Sequence, residues 1–503
     1  SSTVLTDVLS ITADGTGIDA TDMAAFTGFD NLTIANNAAS GTITLADATV
    51  ADNALFTVDA SAITGDLAFT IDLSSDTNGQ FVVTGGSGSD GITGSASDHG
   101  DNLSGGAGGT DTFTFATLNL TSADTVAGGA GNDTLTMSNA STVLDEDFTN
   151  ITSVESISSG NNALTLTTGA LSAAAGLNTI TMGTGADDIT IGVNSSSAIT
   201  AALSTGNDSV VATNYTGTLT VTADVDSITA ADTITGGTST SDVLEVTFDT
   251  TAADFAGVTA FETFKAGGDT ASESFTTADV NVAATESLTV DMSAQATEAY
   301  TVDISNETNG AITITGGAAA GTITLSSSSL GDTFTGGAGA DGVTVIGAQL
   351  TSADTLNGAA GTDTLTIGTV GTLSDADFTN ISNFETLTLG TGGANTFVLG
   401  TEYAASGLKT ITTQSTDDTI TFTYADGKKS DSLQRRSKIE GDNPATPDVV
   451  ETEYFEGTGL TNQIFQLYNE LGGDKANSFN SAAQVQSAVD EYDIQLGTIR
   501  EGD

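Results

Sequence analysis

Four times along this chain an aspartate opens a short Thr/Leu-type run, an Asp-hydrophobic turn follows 12 to 15 residues on, and an acidic-hydrophobic run closes the unit. The copies are Asp7-Val8-Leu9-Ser10 with Asp22-Met23 and Phe29-Asp30-Asn31-Leu32; Asp133-Thr134-Leu135-Thr136 with Asp147-Phe148 and Val154-Glu155-Ser156-Ile157; Asp242-Val243-Leu244 with Asp254-Phe255 and Phe261-Glu262-Thr263-Phe264; and Asp363-Thr364-Leu365-Thr366 with Asp377-Phe378 and Phe384-Glu385-Thr386-Leu387. Their opening aspartates stand 126, 109 and 121 residues apart. A unit that recurs this way cannot bury its apolar face alone, so neighbouring copies must stack and share a core. Divided at those aspartates, the chain gives repeat units at 1–132, 133–241, 242–362 and 363–427, and a separate module at 428–503. The first unit lacks the glycine-rich turn that precedes the other three, so the chain reads as a piece of something longer.

Within a unit the pattern has period two. Runs such as Thr364-Leu365-Thr366-Ile367 and Thr410-Ile411-Thr412 alternate β-branched and apolar residues between Gly, Asn and Asp, the mark of strands. No helical period intervenes. The expected class is therefore all-β: a repetitive parallel β-solenoid or β-roll, with β-sandwich modules as the alternative. After Gly427 the composition breaks, with both prolines, a basic run and a strand candidate at Val449 to Phe455. Ile464, Leu467, Tyr468 and Leu471 then fall at helical spacing before Gly472-Gly473, and a second helix is expected from Ser481 to Tyr492. A small C-terminal hairpin of α-helices is the prediction.

The chain carries 65 acids against 9 bases, a formal charge of −56. Residues 1–427 hold 51 acids and 2 bases, a net −49, and residues 428–503 hold the remaining −7. Such a body repels itself unless cations neutralise it. Nucleic acid and anionic membrane, which need basic surface, are excluded as partners. There is no cysteine, so neither disulfides nor thiolate metal sites exist.

The sharpest motif is Gly-Gly-x-Gly-x-Asp-x-hydrophobic-x. It is complete at Gly85-Gly86-Ser87-Gly88-Ser89-Asp90-Gly91-Ile92-Thr93, at Gly128-Gly129-Ala130-Gly131-Asn132-Asp133-Thr134-Leu135-Thr136, and at Gly336-Gly337-Ala338-Gly339-Ala340-Asp341-Gly342-Val343-Thr344. Degenerate copies end at Asp111, Asp242 and Asp363, and weaker ones at Asp187 and Asp208. Glycines with φ > 0 would turn carbonyls toward one point, the aspartate would add charge, and the hydrophobic residue would start a strand. Calcium takes six to eight hard oxygens, which carbonyls and carboxylates supply. Asp124, Asp332 and Asp354 precede Asp133, Asp341 and Asp363 by nine residues, one nonapeptide, so successive loops are expected in register as the second half of each cage. Asp101 and Asp232 are counted with them as metal candidates. The Asp22, Asp147, Asp254 and Asp377 series reads instead as caps of short turns.

These nonapeptides resemble those of the RTX family, the hemolysin-type calcium-binding repeats, and the longer Asp-Phe-Thr-Asn units look like those of large secreted bacterial surface-layer and adhesin proteins. The resemblance implies calcium, export to the exterior by type I secretion, and folding when calcium arrives. The nonapeptides depart from the family in coming as pairs rather than long arrays. Catalysis finds no support: His99, the single histidine, sits in a Gly/Asp/Ser loop, and there is no His-Glu-x-x-His motif or nucleophile with a partner. The expectation is a non-enzymatic, calcium-stabilised extracellular structural protein, a surface-layer or surface-matrix component whose partners are copies of itself in a lattice or filament. The alternatives are the stalk of a large adhesin and a virion fibre or decoration protein, with cell-surface polysaccharide or a virion as the further partner. No segment is apolar enough to insert in a membrane.

Overall fold

The computed structural model describes residues 7–412 apart from 13–19, 37–41, 117–118, 225, 248, 269–271, 346–348, 369–371 and 390–395; beyond 412 it describes the strands Asp418–Phe422, Asp431–Arg435, Gln466–Tyr468 and Thr498–Arg500. The chain is a parallel β-solenoid. Each short strand pairs in parallel with the strand one coil away, so that Thr112, Thr134, Ser156, Thr179, Thr200 and Thr220 are successive partners at intervals of 20 to 23 residues. Of the described pairs, one is antiparallel: Asp418–Phe422 with Asp431–Arg435, in the region where the sequence turns basic.

Period-two patterning sets the inside and the outside. In Thr134–Met137 and Thr364–Ile367 the threonines face outward, half-buried, and the aliphatic residues are buried. Ile92, Phe113, Leu135, Ile157 and Ile180 stack as one column, each almost fully buried. A coil contributes few such side chains, so the core is thin and depends on the coils above and below it.

The structure falls into two compact units, residues 1–246 with 257–262, and residues 247–256 with 263–503. In the first, strands from Val8–Ile11 to Ile151–Thr152 form one sheet, strands from Thr42–Thr44 to Val243–Val246 lie in the sheet opposite, and a third sheet runs from Ser141–Val143 to Val258–Thr259. The first sheet ends where the third begins, at the long unit opened by Asp133, whose coil carries three strands instead of two. In the second unit the same exchange occurs at Asp363: the strand series that ends at Ile381–Ser382 gives way to one that begins at Thr372–Leu373. The long repeats opened by Asp133 and Asp363 are thus coils at which the solenoid changes faces.

Aligned on their elements, residues 29–191 and 261–422 repeat one another at 230 to 232 positions. Asp72-Leu73-Ser74-Ser75-Asp76-Thr77-Asn78-Gly79 returns as Asp303-Ile304-Ser305-Asn306-Glu307-Thr308-Asn309-Gly310, and the helix Ala170–Ala175 returns as Thr401–Ala405. The four recurrences pair off, first with third and second with fourth.

The tail differs from its prediction. Over the first expected helix, Gln466–Tyr468 is a strand paired in parallel with Thr498–Arg500. Ile464 to Tyr468 is a short, aromatic-rich apolar run, and in a run that short the helical and strand periods cannot be told apart. The second expected helix, Ser481 to Tyr492, and the strand candidate at Val449 to Phe455 lie outside the described residues. No described helix is long and apolar enough to cross a membrane.

Candidate metal centre in the glycine-aspartate turns

The glycines of the motif are required by close approach of neighbouring coils more than by backbone angle. Gly129 and Gly131 have positive φ, 110° and 147°, but Gly85, Gly86, Gly88, Gly336, Gly337 and Gly339 do not. A Cβ added at Gly88 would lie 2.2 Å from the Leu67 carbonyl oxygen of the preceding coil, so only a bare Cα fits. This corrects the expectation that left-handed glycines shape every complete motif.

With the coils that close, the motif aspartates stack into ladders. Asp90 N–H donates to Asp111 Oδ1 at 2.7 Å, Asp111 N–H to Asp133 Oδ1 at 2.7 Å, and Asp133 N–H to Glu155 Oε2 at 2.9 Å. On another turn Asp101 N–H donates to Asp124 Oδ1 at 2.8 Å. Asp187 N–H and Asp208 N–H donate to Asp208 Oδ1 and Asp232 Oδ1 at 2.9 and 2.6 Å, and Asp242 N–H to Glu262 Oε2 at 2.8 Å. In the second unit Asp332 pairs with Asp354 at 2.8 Å, and Asp341, Asp363 and Glu385 follow one another at 2.7 and 2.8 Å.

The register is therefore one coil, 20 to 24 residues, and not nine. Asp124 and Asp133 stand on different ladders, as do Asp332 and Asp341, and Asp354 and Asp363. The physical reason is plain: the nine residues from Asp124 to Asp133 include the strand Thr125–Ala127, which carries the chain to the next turn. The expected pairing of nine-residue neighbours into one cage is not what the fold makes.

The second carboxylate oxygen separates the candidates. In Asp90, Asp242 and Asp341, Oδ2 accepts an N–H of the residue's own turn, from Gly86, Gly237 and Gly337. In Asp101 and Asp332 it accepts Ser95 and Ser326 N–H, and in Asp124, Asp232 and Asp354 it accepts Thr121, Thr229 and Thr351 N–H. The buried Oδ2 atoms of Asp111, Asp133, Asp208 and Asp363 have no hydrogen-bond partner. Three of these four point at the first glycine of their motif, where a carbonyl of the next coil also arrives. A Cβ at Gly105 would lie 2.0 Å from Asp111 Oδ2 and 2.5 Å from the Gly128 carbonyl oxygen. At Gly128 the same point is 2.4 Å from Asp133 Oδ2 and 1.7 Å from the Ser153 carbonyl oxygen, and at Gly358 it is 2.7 Å from Asp363 Oδ2 and 2.3 Å from the Asn383 carbonyl oxygen.

Two acceptors that converge without a donor repel each other, and burial makes that costly. A proton or a cation between them removes the conflict. Burial, then the charges of Asp133 and Asp90, raises the Asp111 carboxyl to about 6; Asp208 reaches about 6 by burial and then the charges of Asp187 and Asp232. Asp101 and Asp187 are raised to about 6, chiefly by burial, and burial also pushes Asp90, Asp124, Asp133, Asp242, Asp332, Asp341, Asp354 and Asp363 upward. Among the described residues no three carboxylates converge on one point. A calcium ion here would rest on single carboxylates and stacked carbonyls, hard oxygens of the kind it takes, with water completing its shell. The residues fit it at Gly105, Gly128 and Gly358.

Sequence reading passed over the ladder ends, Glu155, Glu262 and Glu385. Their signal was present as the acid after Val or Phe in each long unit, read there as part of a strand. Conversely, Asp147, Asp254 and Asp377 close their own turns as expected, accepting Leu144, Thr251 and Ser374 N–H at 2.9, 2.7 and 2.7 Å. His99 is half-exposed beside Ser97 Oγ and Asp98, each 3.1 Å from Nδ1. No family model, curated protein or solved structure matches the chain.

Proposed function

We propose that the chain is a calcium-stabilised extracellular structural protein, secreted by the type I route, whose solenoid serves as a self-associating surface-layer or surface-matrix component. The observation that carries this reading is the set of buried acceptor pairs at Gly105, Gly128 and Gly358, where Asp111, Asp133 and Asp363 each meet a carbonyl of the next coil without a donor. An ion there would staple coil to coil, and stapled coils make a stiff repeat body rather than a catalytic pocket. The net −56 of the chain and the resemblance of its nonapeptides to RTX repeats support the same reading. Calcium, when bound, supplies the positive charge; the chain's own residues supply orientation, since each ladder N–H fixes Oδ1 and leaves Oδ2 aimed inward.

The test is a melt of the whole chain in excess calcium and after chelation, followed by electron microscopy of both. The reading expects a large drop in melting temperature on chelation and ordered arrays that dissolve with it. Equal melting curves in the two conditions would sink the calcium reading. Calcium-dependent particles that never associate would move the function to a stalk.

A further inference from the structure

At one corner of the first unit, large apolar side chains stand outside the solenoid. Leu144 follows the strand Ser141–Val143, Leu171 is the second residue of the helix Ala170–Ala175 that follows Leu164–Thr168, and Val193 comes two residues after Asp188–Ile191. Those three strands are successive partners in one parallel sheet, and hydrogen bonds join their turns: Leu171 N–H donates to Asp145 Oδ2 at 3.1 Å, and Gly192 N–H to the Thr168 carbonyl at 3.2 Å. The three side chains are 40, 36 and 53 % exposed. One exposed leucine needs no explanation, but three such residues at one corner of neighbouring coils form a patch that marks a binding surface. Asp147 Oδ2 holds the Leu144 N–H at 2.9 Å and Asp145 holds the Leu171 N–H, so the patch is fixed before a partner arrives, which lowers the cost of binding.

Charge points to the partner. Between Leu144 and Phe148 run Asp145, Glu146 and Asp147, the chain's only three consecutive acids, with Glu146 exposed. Opposite in sign, Lys428, Lys429, Arg435, Arg436 and Lys438 gather most of the chain's 9 bases into 428–438, with Leu433 among them and Asp431 as the one acid. The remaining bases, Lys265, Lys409, Lys475 and Arg500, stand singly. Complementary charge steers and orients such a contact, and apolar side chains anchor it. The second repeated stretch lacks the feature, because Leu144, Glu146 and Leu171 are matched there by Ser374, Ala376 and Glu402. Each chain therefore offers one such patch and one basic segment.

We propose that the corner formed by Leu144, Leu171 and Val193 docks the basic segment 428–438 of a second copy of this chain. One patch and one segment per chain make a heterologous, head-to-tail contact, which propagates into a filament unless its rotation closes a ring. This rests on the self-association proposed above and adds the two surfaces that meet.

Two variants of the full chain, followed by sedimentation velocity in excess calcium, test it. Leu144→Ser with Glu146→Ala and Leu171→Glu copies residues that the fold already carries at the matching positions and leaves the net charge unchanged. The second variant combines Lys428→Gln, Lys429→Gln, Arg435→Gln, Arg436→Gln and Lys438→Gln; it alters nothing in the coils up to residue 412, so it reports even where the first fails to fold. Each variant alone is expected to lose about tenfold or more in association constant. An equimolar mixture, which pairs an intact patch with an intact segment, should form dimers and stop there. If the native protein associates and either variant associates as tightly, the inference alone is overturned; a mixture of folded variants that forms no dimer overturns it equally. A native protein that stays monomeric overturns the self-associating reading and this inference with it.

Discussion

At the scale of single residues, the unpartnered Oδ2 of Asp133 makes opposite demands with and without the ion. Asparagine at that position would still accept the Asp111 N–H, and its amide could donate to the Ser153 carbonyl that now faces Oδ2. Asp133→Asn should therefore stabilise the metal-free chain, by about 1–3 kcal/mol if the whole penalty of an unsatisfied buried group is relieved. It should also shrink the stabilisation that calcium brings, a pair of opposite shifts that urea denaturation with and without chelator would show. Asp101 carries a pH dependence. Its folded-state value, raised to about 6 by burial with Asp124 the one charge opposing its ionisation, exceeds the ordinary carboxylate value. The folded state thus holds that proton more tightly than the unfolded chain. The contribution is complete below about pH 4 and is lost as pH rises through 6. Metal-free protein should accordingly melt higher at pH 5 than at pH 7, and Asp101→Asn should reduce that difference without abolishing it, because Asp111, Asp187 and Asp208 are raised to about 6 as well.

At the scale of elements, the strands were legible because period two forces inside from outside, as in Thr134-Leu135-Thr136-Met137 with its buried leucine and methionine. The coil register was not legible. Nine residues separate Asp124 from Asp133 in sequence, but which turns stack depends on how many strands one coil holds, and that number rises from two to three at Asp133 and Asp363. Where the tail helix was expected, the described Gln466–Tyr468 is a strand for a related reason, since a single apolar run carries too few periods to choose. Capping between coils was equally hidden. Asp375, in the turn before Phe378, accepts N–H groups of Gly400 and Tyr403 at 2.6 and 3.0 Å and so caps the helix Thr401–Ala405 from the coil before it, as Asp145 does for Leu171 and Ser172 at 3.1 and 2.8 Å. A cap of this kind is worth about 1 kcal/mol. Asp375→Ala should cost about that much, and faster hydrogen exchange confined to 400–406, with distant coils unchanged, would identify the loss as local. Gly88→Ala should cost more, because the Leu67 carbonyl lies 2.2 Å from the new methyl and the stacked coils cannot part at one point alone.

At the scale of the whole molecule, residues 1–427 carry a net −49 on a thin core, and two kinds of cation relief can be told apart. Diffuse repulsion among exposed carboxylates is screened by any salt, the Debye length falling from about 30 Å at 0.01 M to about 8 Å at 0.15 M. That effect grows smoothly with ionic strength and is indifferent to which cation supplies it. Relief of the buried acceptor pairs at Gly105, Gly128 and Gly358 is different, because those oxygens are shielded from screening and each needs an ion in direct contact. Metal-free protein should therefore gain melting temperature gradually with sodium chloride, and gain a further saturable increment with micromolar to millimolar calcium at constant ionic strength. Magnesium, smaller and reluctant to shed its water, should reproduce only the sodium-like part. Because each coil leans on its neighbours, Asp133→Asn in the first unit should remove part of the calcium increment and leave the second unit's Asp363 turn responsive, so that the melting curve splits into two steps in calcium. A single transition shifted as a whole would mean that the two copies unfold as one.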